Sequence, residues 1–300
     1  MIIIKLRGGL GNQMYQYAMY EKLINMQKDV KLDISGYGKD NIDADKRSLM
    51  LDCFRNVKYN RCTDKERYSF LDESRKLKDR IRRKIFGKRT NIYREHTAYD
   101  EELFRLEDGY LIGYWTCQKY YDAMMPLLRE KFVFPESADA RNKKILDMIK
   151  SVNSVSIHVR RGDYLESKYV DKFGHICTDE YYSKAIEYIR ERVDNPIFIV
   201  FSDDKEYVKQ QYQGKEYIVV DWNDSEEASI FDLQLMSMCK HNICANSTFS
   251  KWAALLNSNA GRIRIYPLKN TSNEVVCISQ LRELSPDWVR IDSDGTVYEI

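Results

Sequence analysis

The fold of this chain is decided by the segment Ser154-Val155-Ser156-Ile157-His158-Val159-Arg160-Arg161-Gly162-Asp163-Tyr164. Apolar and polar residues alternate in it, and a period of two predicts a strand with one apolar face. His158 and Arg160 then point the same way, toward an Arg-Gly-Asp turn where the strand ends. Open α/β sheets bind ligands beyond the carboxyl ends of their strands, so the segment predicts an anion site. A strand that merely ends in a salt-bridged turn is the alternative.

The composition limits the class of protein. With 300 residues, 43% of them hydrophobic, the chain suits one large domain or two of ordinary size. A net charge of +2 does not predict nucleic-acid binding. The seven cysteines are spread singly, which favours a reducing, cytoplasmic setting over a disulfide framework or zinc site. The first residues, Met1 to Leu6, predict a strand rather than a signal peptide, and we find no membrane-spanning run.

The order of predicted elements indicates an α/β protein. Ile2 to Leu6 reads as a buried strand, followed by a glycine turn and a helix from Met14 to Met26, which is the start of a Rossmann-like unit. The region from Pro135 to Arg141 reads as a linker. After it, strands are predicted at 154–160, 197–201, 217–220, 242–245 and 262–266, with helices at 179–193, from 205, at 226–240 and at 250–256. Strands that alternate with helices predict a parallel sheet covered on both faces.

The turn Gly8-Gly9-Leu10-Gly11-Asn12-Gln13 joins the first strand to the first helix. Glycines let the backbone approach a ligand closely, and a helix N-terminus favours negative charge. The third glycine of the dinucleotide fingerprint is missing, although Asp33 lies at about the right distance for its acid. A tight turn that packs the helix on its strand is the alternative.

Two polar clusters follow later strands. Asp203 and Asp204 fit a guanine edge or a sugar hydroxyl, or cap the next helix. Hydroxyl groups recur in Ala245-Asn246-Ser247-Thr248-Phe249-Ser250, where a helix starts, and suit a phosphate, although one serine would suffice as an N-cap. Two adjacent acids without a third ligand at clear spacing argue against a metal site.

These motifs all follow strands of one predicted sheet and therefore converge on one crevice. A cation with hydroxyl donors, Arg160 with Ser247 and Thr248, suits a diphosphate, and carboxylates suit a base or ribose. The chain lacks a Gly-x-x-x-x-Gly-Lys loop, which disfavours ATPase chemistry. A nucleoside diphosphate whose charge is met by arginine rather than by metal indicates a sugar nucleotide.

Residues 75–89 form a basic segment. Its cations are interspersed with Leu77, Ile81 and Ile85, which are spaced as one helical stripe. We favour a solvated helix that lies on its domain by this stripe. The alternative is a helix on an anionic membrane surface.

Several motifs in the same order resemble the α-1,2-fucosyltransferases of glycosyltransferase family 11. The resemblance runs from the first strand to about residue 257, and the Arg-Arg-Gly-Asp-Tyr and Asn-Ser-Thr-Phe-Ser pair together is specific. The matching segments are Gly8 to Gln13, Gly113 to Trp115, Lys119 to Tyr121, His158 to Tyr164, Asp179 to Tyr182, Phe201 to Asp204, Asn246 to Ser250 and Trp252 to Ala254.

The resemblance implies a GT-B-like α/β fold, two Rossmann-like domains with the active site in the cleft between them. Residues 1–140 would form the acceptor-side domain and residues 141–300 the GDP-fucose-binding domain. It implies inverting transfer of L-fucose from GDP-L-fucose to the 2-hydroxyl of a terminal galactose, with no required metal or cofactor. The acceptor would be an oligosaccharide or a lipid-linked glycan at the cytoplasmic face of a membrane. Peripheral contact with that membrane through residues 75–89 is the alternative interpretation of the basic segment.

The resemblance also implies roles for single residues. Arg160 would bind the β-phosphate and stabilise departing GDP. His158 and Asp203 or Asp204 would meet the guanine, and Asn12 would lie by the reacting centre. Asp163 is the nearest candidate for the general base, unless it is salt-bridged to Arg161. The rest of the predicted donor site comprises Ser247, Thr248, Phe249, Ser250, Gly9 and Gly11.

The chain departs from the family at Lys251, where the family usually has tryptophan. We expect Trp252 to keep the packing role, and Lys251 to face solvent or to add charge near the phosphates. Two rival functions stay open. One is a fucosyltransferase of another linkage, and the other is a non-catalytic Rossmann-like module that binds nucleotide or nucleic acid.

Overall fold

The computed structural model describes residues 1–37, 47–74, 76–88 and 91–300. The chain divides into two compact units, unit 1 from Met1 to Val133 and unit 2 from Phe134 to Ile300. The predicted boundary between the units follows residue 140, whereas the structure places it after Val133. The two differ because residues 135–141, the expected linker, belong to unit 2. There, Asn142 donates to the Ser137 hydroxyl at 3.0 Å, which ties the segment to the helix that follows it.

Unit 1 is built on a four-stranded sheet in which every neighbouring pair is parallel, in the order β2-β1-β4-β3. The first helix begins at Leu10, within the segment Gly8 to Gln13 and four residues before the predicted Met14, because Gly9 is its N-cap. The elements of unit 1 are β1 (Ile2–Lys5), α1 (Leu10–Asn25), β2 (Val30–Asp33), α2 (Asp64–Leu71), α3 (Leu77–Phe86), β3 (Ile92–Arg94), β4 (Gly109–Ile112) and α4 (Met125–Lys131).

Unit 2 is built on a seven-stranded sheet in the order β11-β10-β9-β8-β5-β6-β7. All neighbours are parallel except β10 and β11. Its elements are α5 (Ala140–Ser151), β5 (Asn153–Val159), α6 (Asp179–Arg190), β6 (Pro196–Ser202), α7 (Lys205–Gln211), β7 (Tyr217–Val220), α8 (Ser229–Met238), β8 (His241–Ile243), α9 (Thr248–Leu256), β9 (Arg264–Pro267), α10 (Ile278–Leu284), β10 (Val289–Ile291) and β11 (Val297–Glu299).

Strand β5, an interior strand of the unit 2 sheet, is buried on both faces. Val155, Ile157 and Val159 pack into the core with residues of α6, as the alternation predicts. The opposite face is buried as well, because its polar side chains bond within unit 2. The Ser156 hydroxyl, for example, accepts from the Asn242 amide at 2.8 Å. Burial on both faces is typical of a parallel strand covered by helices on each side.

The predicted α/β class with two Rossmann-like units is confirmed, since each unit has its own sheet, parallel throughout in unit 1 and parallel except for β11 in unit 2. The position of the active site stays a prediction. Among the described residues, no helix has both the length and the apolar character that crossing a membrane would require.

Candidate active site

Three neighbouring strands of unit 2 bring the predicted donor-site residues to one edge of the sheet. Strand β5 pairs with β6 on one side and with β8 on the other, both in parallel. The residues that follow these strands therefore leave the sheet at the same edge. Arg160 follows β5, Asp203 follows β6, and Ser247 lies beyond β8, so the structure brings these three motifs together.

Arg160 is held between two carboxylates. Its Nη2 lies 2.7 Å from Oδ1 of Asp163, and its Nη1 lies 3.0 Å from Oδ2 of Asp203. The guanidinium also lies over the ring of Tyr164, 5.5 Å from its centroid. The salt-bridged turn is thus present, with Asp163 paired to Arg160 rather than to Arg161. A guanidinium has five N–H donors, so two ion pairs leave donors for a phosphate.

The neighbouring arginine and acid fix the turn. The backbone N–H of Arg161 donates to Oδ1 of Asp203 at 2.9 Å, and its guanidinium pairs with Asp204 at 3.1 Å. Asp204 also caps α7 by accepting from the N–H of Tyr207 at 3.1 Å. A side chain at Gly162 would collide with the carboxylate of Asp203, which explains the glycine there. Both acids are therefore engaged within unit 2, and the capping alternative holds for Asp204.

His158 is buried at the end of β5 with only 6% of its surface exposed. Burial, together with the charge of Arg160, lowers its pKa to about 3, so the ring is neutral at physiological pH. The ring lies 5.8 Å from that of Phe249, centroid to centroid. Its Nδ1 has no hydrogen-bond partner among the described residues. Buried polar atoms rarely lack a hydrogen-bond partner, so this nitrogen is a candidate for contact with a ligand.

The start of α9 lies beyond β8 and carries the hydroxyl cluster. Ser247 is the N-cap, and its hydroxyl accepts from the N–H of Phe249 at 3.3 Å. Ser250 is buried and donates back to the carbonyl of Ser247 at 3.4 Å. Thr248 is the first residue of the helix and is partly exposed. One hydroxyl thus serves as a cap, as the simpler interpretation requires, and Thr248 remains beside the helix N-terminus.

Lys251 and Trp252 are both buried in α9. The expected packing role of Trp252 agrees with its complete burial. The option that Lys251 faces solvent is wrong, because its Nζ lies over the ring of Tyr266, 5.3 Å from the centroid. A buried ammonium on an aromatic face has exchanged part of its hydration for a cation–π contact.

The glycine turn lies in unit 1, where the side chains of Gln13 and Tyr37 hold it. Gly8 has a φ of +82°, a conformation that favours glycine. Its carbonyl accepts from the amide of Gln13 at 2.9 Å and from the hydroxyl of Tyr37 at 2.7 Å. Gly9 caps α1, while Gly11 and Asn12 lie in its first turn. The turn therefore packs the first helix on its strand, as the simpler interpretation predicts.

Asp33, which the fingerprint would place at a ribose, points into unit 1 instead. Its carboxylate accepts from the hydroxyl of Tyr110, lies 3.7 Å from Arg67 and binds the N–H of Ser35 at 2.9 Å. Only 2% of the residue is exposed, so it serves the fold rather than a ligand.

A second acid in unit 1, which the sequence did not reveal, lies beyond the strand ends. The carboxylate of Glu95 accepts from the N–H groups of Tyr114 at 2.7 Å and Trp115 at 2.9 Å. Burial raises its pKa. The guanidinium of Arg7, two residues after the end of β1, lies over the ring of Tyr114, 4.5 Å from its centroid. Glu95 lies in no recognised motif, and only contacts across β1, β3 and β4 assemble this group.

Asp232 in α8 is the other acid missed from the sequence. Its carboxylate accepts from the amide of Asn223 at 2.7 Å, and burial raises its pKa to about 7. The sequence pattern that could have indicated a buried acid is the single carboxylate in the largely apolar segment from Ile230 to Met236. It lies on the side of unit 2 where Asn223 and Lys205 follow β7 and β6.

The raised pKa of Asp232 predicts a pH dependence of stability. The folded state holds a proton that the unfolded state has lost between pH ~4 and ~7, so stability falls as pH rises through that window. Asp232→Asn should remove this loss, which amounts to at most about 4 kcal/mol. We would compare urea midpoints at pH 5 and pH 8, with Asp147→Asn at an exposed site as control. Equal pH dependence in wild type and Asp232→Asn would contradict the assignment.

The described residues contain no group of three or more histidine, cysteine, aspartate or glutamate side chains arranged to hold a metal ion. Arg160 and the N-terminus of α9 contribute positive charge at this edge of the unit 2 sheet.

The chain is similar to known enzymes of glycan synthesis. An alpha-1,2-colitosyltransferase of Escherichia coli is 31% identical over 303 residues, which cover 97% of this chain and 99% of that protein. The O-antigen biosynthesis glycosyltransferase WbnK of Escherichia coli is 34% identical over 290 residues, covering 88% and 93%. A galactoside alpha-(1,2)-fucosyltransferase 1 of Saimiri boliviensis boliviensis is 27% identical over 214 residues, covering 67% and 58%.

These relatives, together with the two α/β units, define the chain as a glycosyltransferase. Residues 74–292 match the model of glycosyl transferase family 11, and the chain belongs to that family. The family resemblance predicted from the motifs is therefore confirmed.

Proposed function

We propose that this glycosyltransferase moves L-fucose from GDP-L-fucose to the 2-hydroxyl of a terminal galactose, with inversion and without a metal or other cofactor. The observation that carries the proposal is the placement of Arg160. It follows the end of β5, and its guanidinium is oriented by Asp163 and Asp203.

Arg160 and the groups around it would act on the donor, where the bond between the sugar and GDP breaks. The acceptor oxygen attacks C1 of the sugar, the bond from C1 to the β-phosphate oxygen breaks, and GDP departs with the bonding electrons. A fixed guanidinium stabilises the negative charge that develops on the leaving phosphate. The N-terminus of α9, with Ser247 and Thr248, favours the same charge. Neutral His158 would offer its unsatisfied Nδ1 to the guanine, beside the ring of Phe249.

The acceptor proton needs a base. Asp163 remains our candidate, although its ion pair with Arg160 occupies one carboxylate oxygen and opposes that role. On the acceptor side we place unit 1, with Asn12 at the start of α1. Arg7, Glu95 and Tyr114 add a cation, a carboxylate and an aromatic ring beyond the strand ends, and these groups suit sugar hydroxyls and a sugar face.

A second donor is favoured by one observation. The relative at 31% identity over almost the full length of both chains is a colitosyltransferase. Colitose is fucose without the 3-hydroxyl, so the two donors differ by a single polar group. A site that hydrogen-bonds the 3-hydroxyl would reject the analogue strongly, whereas a site without such a bond would accept both.

Calorimetric titration with GDP, GDP-fucose and ADP in the presence of EDTA tests the donor site. We expect GDP-selective binding without metal, and transfer to a galactose-ended acceptor whose product carries an α-1,2 linkage. GDP-colitose in the same assay would decide between the donors by kcat/KM. A product with a linkage other than α-1,2 would favour the first rival, a fucosyltransferase of another linkage. Equal binding of ADP, or salt-dependent RNA binding without transfer, would refute the proposal and favour the non-catalytic rival.

A further inference from the structure

Helix α3 turns its apolar residues outward. The exposed fractions are 69% for Leu77, 51% for Ile81, 66% for Ile85 and 74% for Phe86. Leu77, Ile81 and Ile85 recur at every fourth position, so they form one stripe along the helix. Four large apolar side chains exposed together on one short helix are unusual, because such residues gain free energy by leaving water.

The side of α3 that faces unit 1 is charged. Arg82 and Arg83 both pair with the carboxylate of Asp72, which follows α2, and the second pair is 3.5 Å long. Arg83 also donates to the carbonyl of Ser74 at 2.6 Å, and the Ser74 hydroxyl donates to Asp79 at 2.6 Å. The expectation that the helix lies on its domain by the apolar stripe is therefore wrong. These charged contacts hold the helix and leave the stripe exposed.

Exposed cations flank the stripe. At about 100° per residue, Arg80 and Lys84 lie on one side of it and Lys78 on the other. All three are exposed, as are Lys76 before the helix and Lys88 after it. The acid of the helix, Asp79, is on the inner side, bound to Ser74. Arg75 and Arg89, the ends of the basic segment, lie outside the described residues.

We propose that α3 lies in the interface of an anionic bilayer, with Leu77, Ile81 and Ile85 inserted and with Lys78, Arg80 and Lys84 on lipid phosphates. A helix with an apolar stripe between basic flanks suits the boundary between acyl chains and headgroups. A second copy of the chain fits less well. In a twofold interface the patch meets itself, which would set cations against cations.

Flotation of the full-length protein with vesicles tests the proposal. We expect binding to vesicles of equal parts phosphatidylcholine and phosphatidylglycerol, and none to pure phosphatidylcholine. The variant Leu77→Ser/Ile81→Ser/Ile85→Ser and the variant Lys78→Glu/Arg80→Glu/Lys84→Glu should each lower the bound fraction at least ~10-fold. Neither variant removes a contact to Asp72 or Ser74, so both should keep transfer to a soluble acceptor.

Two controls match these changes. Lys143→Glu/Lys144→Glu/Lys215→Glu alters the charge equally at exposed sites of unit 2, and Met238→Ser/Val275→Ser removes exposed apolar groups there. Both should float like the wild type. Three results would overturn the proposal: no flotation of the wild type, loss of flotation in the charge control, or full flotation of the serine variant. A concentration-dependent dimer that the serine variant abolishes would instead assign the stripe to a second copy.

Discussion

Arg160→Ala should lower the rate of glycosyl transfer by at least ~10²-fold, because a fixed group that stabilises a leaving oxyanion commonly contributes that much. The substitution removes the cation that both Asp163 and Asp203 contact in the free protein. Those two carboxylates would then face the donor diphosphate without their counterion, which weakens GDP binding as well. The measurements are kcat for transfer and the GDP dissociation constant by calorimetry.

Arg160→Lys should restore little of this activity. The two carboxylates lie on different terminal nitrogens of the guanidinium, Nη2 and Nη1. A single ammonium cannot reproduce that planar fork and also donate to a phosphate. Because lysine keeps the positive charge, the loss of activity in this variant measures the contribution of the guanidinium geometry alone.

The matched control is Arg161→Ala, which removes the same charge one residue further along. The side chain of Arg161 is bound to Asp204 and lies over the ring of Tyr207, and its backbone N–H, which holds Asp203, is retained. We expect a smaller loss of kcat than at Arg160. Near-normal transfer by Arg160→Ala with an unchanged circular dichroism spectrum would refute the role of Arg160.

Gln13→Ala should destabilise unit 1 by about 3–5 kcal/mol. The side chain is fully buried and makes four hydrogen bonds. Its amide donates to the carbonyls of Gly8 and Ser48, both at 2.9 Å, and its oxygen accepts from the N–H groups of Met50 at 2.9 Å and Leu51 at 3.0 Å. Alanine leaves all four buried or half-buried backbone groups without this partner and opens a cavity.

Hydrogen exchange read by mass spectrometry would localise the effect. Protected amides of β1 and α1 should exchange at least ~10²-fold faster in Gln13→Ala, since about 1.4 kcal/mol corresponds to a factor of ten. Amides of β5 in unit 2 report whether the loss is confined to unit 1. Gln210→Ala, at an exposed position of α7, should leave both sets unchanged. Unchanged protection of β1 in Gln13→Ala would show that Gln13 does not hold the turn.

Much of the fold could be predicted because it depends on local patterns. The apolar runs of β1, β6 and β7, the alternation in β5 and the helical stripe of α6 each lie within one short stretch of sequence. The rule that parallel strands present ligands at their carboxyl ends then predicted that Arg160, Asp203 and Ser247 leave the sheet at one edge. The predicted start of unit 2, at residue 141, differs from the observed start at Phe134. Composition indicates a linker at residues 135–141, whereas the contacts that attach these residues to unit 2 form only in the folded protein.

The particular partners could not be predicted, because they join residues that are far apart in the chain. Asp163 pairs with Arg160 rather than with Arg161, and Lys251 is buried against Tyr266 rather than exposed. Glu95 and Asp232 acquire raised pKa values only through burial by other elements. The sequence alone therefore determined the strands, the helices and the residue types at the strand ends, since periodicity is local. Only the tertiary structure decided which charges are paired or buried and that α3 turns its apolar stripe outward, since those outcomes depend on neighbours that folding supplies.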